Sequence, residues 1–234
     1  MGRLSIPEFL RKEVPQGTNS VFKKTDGRAY AAAHVMDSRY AIAKYVRENL
    51  SYSNQNITTE ASLNLNGERR SVGNANWIFY RLTDMMLIKA EALIERGTGT
   101  DYEDAFTLIN AVNKRANDVT TTTRSDTLKM EEYVRNDSTS KAHLEELLME
   151  ERQREFLFEG KRWFDLVRLA RRDGNNTRLV TYVSRKYIEN VNALKIKLAN
   201  PNIIYFPYAK SELKVNPLLR QNSAYANGED SEIR

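Results

Sequence analysis

The chain of 234 residues contains no cysteine, which at once excludes disulfides, thiolate metal sites and a cysteine nucleophile. It leaves the redox compartment open. Histidine is nearly as scarce, His34 and His143 being the only two, so the paired Glu-x-x-His set of a diiron bundle is missing. His143 precedes Glu146 without a second such copy and His34 is isolated, so no metal is expected. No apolar run approaches the about 18 residues that a helix needs to cross a bilayer. The opening Met-Gly-Arg-Leu-Ser is not a basic stretch leading into an apolar one, so no signal peptide is visible. Neither G-x-G-x-x-G, a Walker loop, G-x-S-x-G nor H-E-x-x-H occurs. Nucleotide binding and the common hydrolase classes therefore lack support, and no cofactor is expected.

What is present is a polar chain, 41% hydrophobic with mean hydropathy −0.62, of a size that allows one large domain or two small ones. Lysine and arginine number 36 against 31 acids, a net charge of +5. Such an excess can serve nucleic acid, but here bases and acids alternate along the strongest helical segments. That is the pattern of salt-bridged faces, so no nucleic-acid partner is expected.

Residues 1–79 read as a loop-rich, irregular part and 80–234 as a helical part, the two together making one domain fragment. The first is rich in Asn, Ser, Thr, Tyr and Gly, with a short strand or single helical turn at Arg39 to Val46. Past Tyr80, Leu82, Met85, Met86, Lys89, Ala90 and Leu93 suggest one helical stripe, stopped by Gly97 and Gly99. Thr100 and Glu103 suggest a capping box for a second helix with Ala105, Leu108, Ile109, Val112 and Ala116 on one face. Two helices joined by so tight a glycine loop form an αα-hairpin of tetratricopeptide length. Asp118 to Asp126 reads as a polar loop. A charged helix follows over 140–158, Gly160 breaks it, and 161–171 continues helically to the turn at Asp173-Gly174-Asn175-Asn176. Leu179 to Tyr187 alternates weakly, and Ile203 to Tyr208 reads as a short strand or extended segment. The last dozen residues are expected to fray. The expected fold is mainly α, helical hairpins carrying long irregular loops.

The charged helix is unusual because Leu144 and Leu148 start a stripe that continues through Glu151, Glu155, Glu159 and Arg162. An unpaired buried charge costs several kcal/mol, so these groups must neutralise one another or partners on neighbouring helices. Glu151, Arg152, Glu155, Glu159, Arg162, Asp165 and Arg168 thus read as a structural charge network. For Glu155 the expected partners are Arg152 or Arg162, or groups on the helix from Arg81 to Ala92. No catalytic residue is assigned.

The same run, E-R-x-x-E-F-x-x-E-G-x-R-W-F-D-L-x-R from Glu151 to Arg168, resembles the C-terminal part of the SusD/RagB family. Arg81 to Ala92 resembles that family's R-x-x-D-x-L-L-x-x-A-E-A helix, and Phe206 to Tyr225 its closing segment with Asn216-Pro217, Leu219 and Gln221-Asn222. The closing segment departs from the pattern, with a longer spacing from Pro207 to Glu212 and Ser223-Ala224 in place of Pro-Gly. Residues 1–80 match loosely, through Asp37 and Arg39. Family members being about twice this length, the resemblance implies a C-terminal fragment. It also implies a non-catalytic protein that binds oligosaccharide or another nutrient beside a TonB-dependent SusC-like transporter. The location implied is the outer membrane's external face, reached through the parent's lipid anchor.

Sugars stack their C–H faces on aromatic rings and take hydrogen bonds from amides and arginine. Tyr40, Tyr45, Tyr52 and Trp77 stand among Asn54, Gln55, Asn56, Asn74 and Asn76, and are the candidate ligand-binding residues. The competing reading packs Trp77 and Tyr80 beneath the first helix. Trp163 and Phe164 are expected to pack. Two other functions stay open, a helical-repeat adaptor that contacts only proteins, and a glycan-active enzyme with two carboxylates in an open cleft.

Overall fold

The computed structural model describes residues 26, 28, 33–36, 39–42, 77–117, 128–135, 137–185 and 190–226. The expected loop at 118–126, the candidates Tyr45 and Tyr52, Asp37 and the final residues lie outside them. The architecture is mainly helical, as expected, with one short antiparallel hairpin of β1 (Ala33–Met36) and β2 (Arg39–Ile42). Ala33 pairs with Ile42 and Met36 with Arg39, so of the strand or helical turn expected over Arg39 to Val46, Arg39–Ile42 is strand. Among the described residues no helix is long and apolar enough to cross a membrane. The chain divides into two compact units, Met1–Arg162 and Trp163–Arg234.

In the first unit, α1 (Leu82–Arg96) and α2 (Asp101–Asn117) form the expected helical hairpin. Gly97 ends α1 in the left-handed region at φ 59°, its N–H bonded to the Leu93 carbonyl, a conformation that costs other residues about 1 kcal/mol or more. The predicted capping box is replaced by Asp101. Its carboxylate reaches back to the Thr98 N–H at 2.8 Å and hydroxyl at 3.0 Å, and accepts from Arg96 Nε at 2.8 Å. The Arg96 bond, then the Thr98 N–H, hold this carboxyl well below the usual range.

α3 (Met130–Tyr133) is a single turn, and α4 (Ser140–Glu155) closes a three-helix core with α1 and α2. Leu87, Ala90 and Ile94 meet Ala105, Phe106, Ile109, Val112, Leu144 and Leu148 there, all nearly inaccessible. Burying each large apolar side chain contributes ~1.5–3 kcal/mol. The α2 stripe is as predicted, but α1 is rotated. Thr83, Asp84, Leu87, Ala90, Leu93 and Ile94 face inward, while Leu82, Met85 and Ile88 are exposed. Asp84 lies inside because cations await it there, a preference that apolar periodicity does not report.

The charged helix, expected to run to 158, ends at Glu155, and the expected break at Gly160 lies in the turn that follows. Phe158 at φ 63° and Gly160 at φ 74° take left-handed conformations between α4 and α5 (Arg162–Asp173).

In the second unit α5 buries Leu166, Leu169 and Ala170. Gly174 and the asparagines turn the chain into α6 (Thr177–Ser184), followed by α7 (Val191–Ala199). The weak alternation over Leu179 to Tyr187 is thus helix as far as Ser184. Asn175 Oδ1 accepts from the Thr177 N–H at 3.0 Å and starts the turn that alternation obscured. A 3₁₀ turn (Pro201–Ile204) buries Ile203 and Ile204, leads into the extended stretch predicted to Tyr208, and α8 (Lys210–Val215) follows. Phe164, expected to pack, is 61% exposed, because the inward face of α5 is taken by Asp165, Leu166 and Leu169. Trp163 lies beside Phe206, ring centroids 6.4 Å apart.

The closing segment is stapled by its amides. Gln221 accepts from the Tyr208 N–H and donates to the Tyr208 carbonyl, both at 3.0 Å, and Asn222 donates to the carbonyls of Asn202 and Tyr205. Ser223 accepts from Asn202 Nδ2 at 2.7 Å.

Candidate functional site

Two groups of side chains in the first unit correspond to those singled out in the sequence. The charge cluster forms around α4. Glu151 is wholly buried and accepts from Arg28 Nη1 at 2.6 Å, Arg154 Nη2 at 2.9 Å and Asn113 Nδ2 at 3.0 Å. One turn later, Glu155 is held by Arg81 Nη1, by Arg115 Nη2 at 2.7 Å on both oxygens and by Arg28 Nη1 at 3.1 Å. Arg81 also grips the Glu155 carbonyl at 2.7 Å and Glu159 at 2.9 Å. Asp84 takes Arg152 at 3.1 Å and Lys161. The Phe156 ring sits among the cations, with the Arg81 and Arg152 guanidinium carbons 4.6 and 5.0 Å from its centroid.

Burial alone would push these carboxyls toward neutrality. Against that burial, the bonds from Arg115 and Arg81 and the charges of both hold Glu155 down at about 2, from an ordinary 4.5. Burial likewise opposes ionisation of Glu151, but the Arg154 and Arg28 charges outweigh it and keep the carboxyl below its usual range. Burial also works against the Arg28 and Arg81 cations. Asp26 with Glu151, and Glu159 with Glu155, respectively, hold them above their ordinary values. Both carboxylates therefore stay ionised at neutral pH, and the cluster ties α4 to α1 and α2 by charge-assisted bonds.

Of the expected partners of Glu155, the one found is Arg81. Arg152 pairs with Asp84, and Arg162 donates to the Met149 carbonyl at 2.8 Å. The arginines described on Glu155 are Arg28, Arg81 and Arg115. The alternative of groups from the Arg81 helix does hold, through Arg81. Asp165 and Arg168 pair with each other at 3.1 Å in the second unit. Reading the sequence missed Arg28, Asn113 and Arg115. The last two interrupt the apolar face of α2 near its C-terminus, a signal open to notice, whereas nothing local marks Arg28.

The second group is aromatic. Trp77, Phe79 and Tyr80 are 53%, 76% and 75% exposed, so Trp77 and Tyr80 are not packed beneath α1. An added Cβ on Gly160 would come 3.4 Å from the Trp77 ring, an ordinary van der Waals contact, so the indole lies along the α4–α5 break. Lys161 Nζ is 5.5 Å from the Tyr80 ring centroid. Tyr40 lies on β2. Tyr45 and Tyr52 fall outside the described residues, so their distance from Trp77 is not given by the fold.

Among the described residues, no set of three or more His, Cys, Asp or Glu is grouped to hold a metal ion. His143 Nδ1 is buried and without a partner there.

Fold and cluster together define a mainly helical protein whose core helices are joined by buried ion pairs. The chain belongs to the SusD family, whose model matches residues 11–225. It is similar to SusD-like protein P38 of Formosa agariphila, 37% identical over 100 residues that make up 42% of this chain and 18% of that protein. The match thus spans less than a fifth of that relative's length. No solved structure matches the chain.

Proposed function

We propose that this chain is part of a non-catalytic nutrient-binding protein, taking oligosaccharide or a similar nutrient in a SusCD-like uptake system. Membership of the SusD family across residues 11–225 carries this reading. The transporter partner would be a TonB-dependent SusC-like protein, and the location the outer membrane's external face, through a lipid anchor on the parent. The ligand surface is assigned to Tyr40, Tyr45, Tyr52 and Trp77. Exposure of Trp77, with Phe79 and Tyr80 beside it, supports that choice, since an open ring can stack on a sugar face.

Catalysis is disfavoured by the state of the carboxylates. A glycosidase acid must carry a proton near neutral pH, whereas Glu155 and Glu151 are locked as anions by guanidinium groups. A protein-only adaptor has one observation in its favour, the exposed apolar outer face of α1 at Leu82, Met85 and Ile88.

Affinity electrophoresis of the full-length parent in a panel of polysaccharides separates these readings. Retardation by at least one glycan, lost on replacing Tyr40, Tyr45, Tyr52 and Trp77 together with alanine while the melting temperature is kept, is the expected result. No retardation by any glycan, with capture of a transporter alone, would favour the adaptor. Retardation unchanged in the quadruple variant would move the ligand site elsewhere.

A further inference from the structure

Residues 77–80, just ahead of α1, belong to no helix or strand, yet Trp77, Ile78, Phe79 and Tyr80 present four large apolar side chains between 40% and 76% exposed. Such a strip is not held open by its own backbone. Fixing it costs conformational entropy with no ladder of bonds to offset the loss, and its rings would gain by folding onto apolar neighbours. Side chains from elsewhere must hold it.

The holding groups lie at the end of α4 and in the turn of residues 156–161 between α4 and α5. Arg81, next to the strip, donates to Glu159 at 2.9 and 3.3 Å and to the Glu155 carbonyl at 2.7 Å. Lys161 takes the middle of the strip. Its Nζ donates to the Phe79 carbonyl at 2.7 Å, pairs with Asp84 in the first turn of α1, and lies 5.5 Å from the Tyr80 ring centroid and 5.1 Å from that of Phe156. With its side chain only 14% exposed, the ammonium has exchanged most of its water for a carbonyl, a carboxylate and two rings. The anchor is itself fixed. The Glu159 N–H is bonded to the Phe156 carbonyl at 3.0 Å, Phe156 is buried, and Phe158 and Gly160 set the turn in left-handed conformations. Asp84 is also held by Arg152 at 3.1 Å, so the tie between α1 and α4 does not run through Lys161 alone. What Lys161 adds is the bond to the strip.

We infer that Lys161 is a positioning residue for the aromatic strip: its ammonium clamps the Phe79 carbonyl and the Tyr80 ring to the α4–α5 turn, and so keeps Trp77, Phe79 and Tyr80 turned to solvent. The charge cluster and the aromatic group thereby become one device. Buried carboxylates fix the cations, and the cations fix the rings. That the strip then serves as a ligand surface rests on the reading proposed above, whereas the clamp itself is a property of the fold and is tested without a ligand.

The absence of cysteine allows one nitroxide label on the 234-residue chain, at Ile78→Cys within the strip, with motion read from the line shape of its electron paramagnetic resonance spectrum. Trp163→Phe leaves Trp77 as the sole indole, read by fluorescence anisotropy. Lys161→Met, which keeps the apolar stem and removes the ammonium, should narrow the nitroxide lines and lower the Trp77 anisotropy while the helical circular dichroism is kept. Lys161→Arg, still able to donate to both the carbonyl and the carboxylate, should restore both readings. Ile109→Val, a change in the helical core, should leave both at the parent's values, which separates the clamp from a general loss of stability. All spectra are taken well below each variant's melting temperature, and Lys161→Gln supplies the same comparison where Lys161→Met melts too low. Unchanged spectra on removing the ammonium, the same loosening in Lys161→Arg, or the same loosening in Ile109→Val would overturn the proposal. Affinity electrophoresis of the Lys161 variants of the full-length parent keeps the two readings apart. A loosened strip with reduced retardation supports both, and a loosened strip with full retardation supports the clamp and takes the ligand surface away from residues 77–80.

Discussion

Glu155 shows how a single side chain comes to belong to several elements. Three arginines, from three separate stretches of chain, converge on one carboxylate with almost no solvent contact. Such a pair is not a strong source of stability against an apolar replacement of the same shape, but losing one partner strands the others. Glu155→Ala should therefore cost ~3–5 kcal/mol in urea unfolding; a cost below about 0.5 kcal/mol would place the group in solvent-like surroundings. The pH dependence has a definite sign. Glu155 is held at about 2 against an ordinary 4.5, so the unfolded chain binds the proton first as acid is added. Its stabilisation is fully present above about pH 4.5 and fades as the pH falls toward 2, with a ceiling of about 3 kcal/mol before screening reduces it. Glu151, also held low, acts in the same direction. Unfolding free energy measured from pH 5 to pH 2.5 should fall less steeply in Glu155→Gln than in the parent. Parallel curves would remove Glu155 from the acid response.

At the scale of elements, α1 is the helix whose orientation departs most from its apolar pattern. Leu82 is 76% exposed and Leu87 fully buried, although both are leucines on the same helix. Leu82→Ser should shift the unfolding free energy by less than about 0.5 kcal/mol. Leu87→Ala should cost ~2–5 kcal/mol, and comparable losses for both would show that α1 is not rotated as described. The α4–α5 break has its own requirement. Gly160, at φ 74°, has a backbone reason to lack a side chain, while the Trp77 ring is at ordinary contact distance from where a Cβ would stand. Gly160→Ala should lose roughly 1–2 kcal/mol from the left-handed backbone, and should alter indole fluorescence through the neighbouring Trp77. An unchanged melting temperature and spectrum would mean that the break tolerates a methyl group freely.

For the whole molecule, each unit is completed by long-range polar bonds. In the first, arginines and carboxylates bind the helical hairpin to α4. In the second, Gln221 and Asn222 staple the closing segment to the stretch between Asn202 and Tyr208. Of the carboxylates so used, Glu151 and Glu155 are held as anions by guanidinium groups. Incubation with polysaccharides should release no reducing ends. Release that disappears when one carboxylate is replaced would contradict the binding-protein reading.

Some of this was legible in the amino-acid sequence. Helical spacing, the glycines at 97 and 160 and the run of charges on the Leu144/Leu148 stripe sufficed for the hairpin, the break and the burial of Glu151, Glu155 and Glu159, because each is a local property of consecutive residues. The motifs of the charged helix likewise carried the family. What only the tertiary structure decided is which groups answer those charges. Arg28 reaches Glu151 across 123 positions of sequence, and Asp84 turns α1 inward by meeting Arg152 and Lys161. Periodicity records which side chains share a face, but not which face of another helix lies opposite.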